Sequence, residues 1–91
     1  MLSAHRKTAD PVKRAAYAEL AVPALLAAGG RFLAKGGRVE ARENGIAERT
    51  VLIEFDNYEA ALAAYDGEDY QKALEALDGG ADRDVRLFEG A

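Results

Sequence analysis

Between Arg49 and Phe55 the chain alternates strictly, with Val51, Ile53 and Phe55 on one side and Thr50, Leu52 and Glu54 on the other. Side chains of a strand point to opposite faces in turn, so a period of two reads as a strand with one face under cover. A strand needs neighbours to pair with and an apolar layer to cover it. The rest of the sequence must supply both. Arg31–Ala34 is a short strand candidate, Gly36-Gly37 permits a bend, and Arg38–Arg42 resumes extension. Asn44-Gly45 is a hairpin turn signal placed directly before the alternating strand.

The cover comes from helices. Asp10-Pro11 reads as a helix start, because Asp accepts from the first free amides and Pro at the first helical position gives up no hydrogen bond. Tyr17, Leu20, Ala21, Ala24, Leu25 and Ala28 recur at spacings of three and four. Pro23 is expected to kink that helix, and Gly29-Gly30 to end it. Asp56 with Glu59 suggests a capping box for a second helix, whose stripe is Tyr58, Ala61, Leu62 and Tyr65. Asp66-Gly67 breaks it. A third helix carries Tyr70, Ala73, Leu74 and Leu77 and stops at Gly79-Gly80. Asp84–Glu89 is the last strand, with Val85 and Leu87 on one face and Arg86 and Phe88 on the other.

A βαββαβ unit of the ferredoxin-like kind needs one more strand in front, and only Leu2–Thr8 is available for it. The expected fold is therefore α+β: one domain over residues 1–91, with an antiparallel sheet and its helices on one face. Ninety-one residues hide only about 60–65% of their surface on folding, so a second subunit is a natural way to bury more. Twelve basic against sixteen acidic residues give a net charge of -4, which argues against a nucleic-acid partner. The longest apolar run, Leu20–Ala28, contains Pro23 and is far below the roughly 20 residues of a membrane span. Polar residues follow Met1-Leu2 at once, so no secretory signal is expected. The absence of cysteine excludes disulfides and thiolate chemistry and suits a cytoplasmic setting.

An ordered series of short motifs resembles a known bacterial family, domain of unknown function 1330. It comprises Ala4-His5, Thr8-Ala9-Asp10-Pro11, the run from Gly29 to Gly37, Arg49 to Phe55, Tyr58-Glu59-Ala60-Ala61, Tyr65, Glu68-Asp69-Tyr70-Gln71 and Phe88-Glu89-Gly90. The resemblance implies a dimeric α+β barrel, in which two ferredoxin-like protomers pack sheet against sheet with helices outside. It implies no activity, since the family has none assigned. Relatives at the level of fold include cofactor-free monooxygenases and lactone isomerases, which is analogy only. This chain departs from the family pattern in a clipped first strand, in Leu77-Asp78 where many members have an arginine, and in Lys35 where arginine is common.

His5 is the sole imidazole and the one side chain with an ordinary pKa near neutrality, so it is a candidate general base facing the barrel interior. The competing reading is a structural strand histidine. Glu54 is a second candidate catalytic group, on the face opposite Val51, with Arg86 or Arg49 as its cationic partner. An intersubunit salt bridge accounts for it equally well. Arg86, Arg49 and Tyr17 are candidate ligand contacts, although the four tyrosines also suit core positions. The glycine pairs follow helices and match no phosphate-loop spacing. The acidic loop residues have no calcium-loop spacing, and one histidine without cysteine builds no zinc site, so neither metal nor cofactor is expected.

Two functional readings follow. In one, the homodimer holds a pocket between sheet and helices that binds or transforms a small organic molecule. In the other, it is a non-catalytic structural or interaction module whose polar groups fix the interface. The residues assign no reaction.

Overall fold

The computed structural model describes residues 1–91. In chain order the elements are β1 (Leu2–Thr8), α1 (Pro11–Ala27), β2 (Arg31–Lys35), β3 (Thr50–Glu54), α2 (Tyr58–Asp66), α3 (Glu68–Leu77) and β4 (Ala81–Arg86). The four strands form one sheet in the order β2-β3-β1-β4, and every neighbouring pair is antiparallel. This is an α+β fold with three helices over one face of the sheet.

The first strand is central despite its polar sequence. Leu2, Ser3 and Ala4 stand opposite Leu52, Val51 and Thr50, and on the other side Ser3 and His5 stand opposite Val85 and Arg83. The alternation of β3 places Val51 and Ile53 in the core with Met1, Ala21, Leu25, Ala64, Tyr70 and Ala73. By the same alternation Leu2, Ala4, Thr50, Leu52 and Glu54 face away from the helices.

Local chemistry sets the helix ends. The Asp10 carboxylate accepts from the amides of Val12 and Lys13 at 3.0 and 3.1 Å and so caps α1. The helix runs through Pro23 without interruption. Pro23 is exposed, and so is Glu19, whose carbonyl loses its usual donor four residues on. After α1, Gly29 has φ +91, which reverses the chain. A Cβ on Gly30 would crowd the Leu25 carbonyl, Ile53 and Phe55, so that residue lets the helix end rest on the sheet.

Five expectations are corrected. Arg38–Arg42 is not a strand: β2 and β3 pair only up to Lys35 and Val51, and residues 36–49 form a loop. The turn sits inside that loop, where Glu43 takes φ +56 and the Gly45 N–H donates to the Arg42 carbonyl. The cap of α2 is Asn57, not Asp56, its side-chain oxygen accepting from the Ala60 amide at 2.7 Å. The last strand begins at Ala81 and ends at Arg86, because β1 pairs with it from Thr8 back to Leu2. Leu20 and Tyr58 point outward, at 47% and 38% exposure, instead of into the core.

Candidate functional site

Between α1 and the sheet lies a cavity of ≈ 40 Å³, as swept by the centre of a water-sized sphere. The strands deliver its lining in three tiers. Met1, Ile53 and Phe32 stand side by side across β1, β3 and β2, since the Met1 carbonyl accepts from the Ile53 amide and Phe32 is opposite Ile53. Ser3, Val51 and Lys35 form the next tier. His5 forms the third with Arg83, its partner in register on β4, and with Arg49, whose carbonyl accepts from the His5 amide at 2.9 Å. Helix α1 repeats the gradient, with Leu25, Val22 and Ala21 over the apolar tiers and Tyr17 and Arg14 over the basic one.

A polar chain holds the middle of the site. Arg83 donates to the Tyr17 hydroxyl at 3.1 Å and to Ser3 Oγ at 3.3 Å, and its guanidinium lies 4.8 Å from the centre of the Tyr17 ring. The Tyr17 hydroxyl meets that of Tyr70 at 2.7 Å, with the rings edge to face. Burial first, and the neighbouring Tyr17 second, push the Tyr70 phenol up, so it stays neutral. His5 is 5% exposed, and its Nδ1 lies 3.1 Å from the Thr8 hydroxyl. Burial lowers the pKa of His5, and the charges of Arg83, Arg49 and Arg14 lower it further. At neutral pH it is therefore an uncharged imidazole with acceptor capacity for a proton.

The cations of the site have no anions. Six of the twelve basic residues make ion pairs: Arg6, Lys13, Arg31, Arg42, Lys72 and Arg86. Four of the remaining six, Arg14, Lys35, Arg49 and Arg83, line this one cavity, and no carboxylate does. Arg49 is shifted down by burial and then by Arg14. The Lys35 ammonium has only the Phe32 ring beneath it, at 4.9 Å.

The structure brings together three of the residues named from sequence, His5, Tyr17 and Arg49. It separates the other two. Glu54 faces away from the helices and accepts from Arg31 Nε at 3.0 Å, while Arg86 pairs with Asp84 on the same outer face at 3.0 and 3.1 Å. His5 faces the helices and not the uncovered face of the sheet, since it alternates in step with Ser3 and Met1. Arg14, Lys35 and Arg83 also line the cavity and are not among the residues that the sequence singles out. Arg14 falls three, four and seven residues before Tyr17, Ala18 and Ala21, on one helical face, so that signal was present. Arg83 shares a face with Val85, and a strand begun at Asp84 leaves it out.

The class defined so far is a small α+β domain with a cationic cavity under its first helix. The model of the family described as Domain of unknown function (DUF1330) matches residues 2–91, and the chain belongs to that family. No curated protein matches it. Among solved structures it is similar to RPA0582 of Rhodopseudomonas palustris, a protein of unknown function, at 17% identity and TM-score 0.72. The match covers 99% of this chain and 79% of the other. The structure of methylated RPA0582 gives 15% identity, TM-score 0.71, and 99% and 78% coverage. At that identity the likeness speaks for the fold alone.

Proposed function

We propose that this protein binds a small organic molecule in the cavity between α1 and the sheet, with Tyr17, Arg49 and Arg83 as contacts and His5 as the group able to accept a proton. The observation that carries this reading is a set of cations without carboxylate partners around a half-buried cavity. Structural arginines are ordinarily matched by carboxylates or carbonyls; here Arg83 meets only the hydroxyls of Tyr17 and Ser3, and no carboxylate lines the cavity. The rest of the proposal concerns assembly. The strand order, with β1 and β3 central and all pairs antiparallel, supports a ferredoxin-like βαββαβ unit. The uncovered sheet face carries Leu2, Ala4, Ala34 and Leu52, flanked by charges already paired within the chain as Arg31 with Glu54 and Arg86 with Asp84. A neutral, partly apolar face of this kind fits a second copy, giving a homodimeric α+β barrel in which Glu54 and Arg86 belong to the interface. Placement in the cytoplasm rests on the cysteine-free composition alone.

Amide chemical shifts recorded with a set of small fragments, spanning acids, amides and alcohols, test the site. Perturbations are expected at Ser3, His5, Val51 and Arg83. Shifts confined to a separate cleft, which Leu52, Glu54, Tyr58 and Phe88 line, or none at all, favour the non-catalytic dimeric module instead.

A further inference from the structure

The cavity is graded along its length, and the gradient carries chemical information. One end is lined by the side chains of Phe32, Ile53 and Leu25 and by Met1, whose ammonium is held by the Ile53 carbonyl at 2.7 Å; the other is cationic, from Arg14, Arg49 and Arg83, with Lys35 at the tier between. The chain has sixteen acidic residues and a net charge of -4, yet it sets none of them here. Like charges gathered in a half-buried space repel one another, and the repulsion is relieved when an anion enters. Two of the guanidiniums, on Arg14 and Arg49, have no hydrogen-bond acceptor in the protein, and their planar forks match the two oxygens of a carboxylate. A Cβ on Gly36 would overlap the Arg49 guanidinium, so the bare glycine, held at φ +75, leaves Arg49 the room to lie against the backbone beside the cavity.

Size narrows the ligand. A space of ≈ 40 Å³ is a few times the roughly 10–15 Å³ that holds one water, which suits a compact group and excludes a nucleotide. An inorganic oxyanion would leave the apolar tiers with nothing to contact. Resting on the small-molecule reading above, we propose that the ligand is a short-chain organic acid: its carboxylate sits among Arg14, Arg49 and Arg83 beside His5, and its hydrocarbon tail points toward Met1, Phe32 and Ile53.

The test is calorimetric titration of the full chain with acetate, butyrate, butyramide and inorganic phosphate. Butyrate is expected to bind at least tenfold more tightly than the neutral, similarly shaped butyramide, since charge-assisted hydrogen bonds are lost with the charge. Each methylene between acetate and butyrate is expected to tighten binding about fourfold. Arg49→Gln is expected to weaken butyrate about tenfold, while Arg49→Lys, which keeps the charge, retains most of the affinity and controls for misfolding. Equal binding of butyrate and butyramide would overturn the acid assignment and leave the small-molecule site standing. Phosphate binding more tightly than butyrate would overturn the organic tail. Silence from all four probes, with fragments still shifting His5 and Arg83, overturns the inference; silence from the fragments as well overturns the site.

Discussion

His5 shows how far a residue's surroundings decide its chemistry. As the sole imidazole it stands out in the sequence, but its state is set by burial and then by three arginines that the fold brings to it. Its pKa is lowered from the ordinary value of 6.5. Between that lowered value and 6.5 the unfolded chain binds more protons than the folded one, so this contribution to stability is full above 6.5 and is lost as pH falls through the window below it. Urea unfolding of the wild type and His5→Asn between pH 7.5 and 5 is expected to show a steeper loss for the wild type. Equal slopes would contradict the burial of a neutral imidazole. Of the five residues the sequence singles out, Tyr17 and Arg49 join His5 because the helical period and the alternation shared with Val51 turn them to the covered side. Glu54 and Arg86 do not, because alternation turns them to the other face. Reading them with His5 required knowing which face the helices cover, and period two alone does not say.

Among the elements, those fixed by their own local chemistry were the legible ones. The start of α1 at Asp10-Pro11, its end at Gly29-Gly30 and the β3 alternation all stand as read. Asp10→Ala removes an acceptor from two amides and is expected to cost about 1 kcal/mol, measured as a lowered urea midpoint with unchanged slope. An unchanged midpoint would mean that the cap is idle. What failed to read from sequence depends on distant pairing. The stretch Arg38–Arg42 has strand-like alternation but no neighbour to bond with, and remains a loop. The first strand lacks strand character, yet it becomes central because two other strands need it as a partner. The bounds of β4 do not read from sequence for the same reason, since its register with β1 sets where it begins and ends.

For the whole molecule, a sheet covered on one side leaves Leu2, Ala4 and Leu52 on the other. A stable interface would bury about 800 Å² on each partner. Light scattering at micromolar concentration is expected to give the mass of a dimer, and Leu52→Glu, which puts like charges opposite each other across the twofold axis, that of a monomer. A monomeric wild type would remove the barrel.

Three guanidiniums, of Arg14, Arg49 and Arg83, are held around one cavity without anions, for a ligand. Such an arrangement costs stability while the cavity is empty, which gives it a signature that no purely structural arginine shares. The most direct measurement is thermal unfolding of the wild type and Arg49→Gln at equal protein concentration, with and without butyrate. Without ligand the variant is expected to be the more stable, by a few degrees, since relieving about 1 kcal/mol of repulsion moves the midpoint of a domain this size by about 4–8 °C. With butyrate at ten times its dissociation constant the wild type is expected to gain about 1.4 kcal/mol and the variant much less. A variant that is less stable than the wild type, with butyrate moving neither protein, would contradict the account and make Arg49 a structural residue.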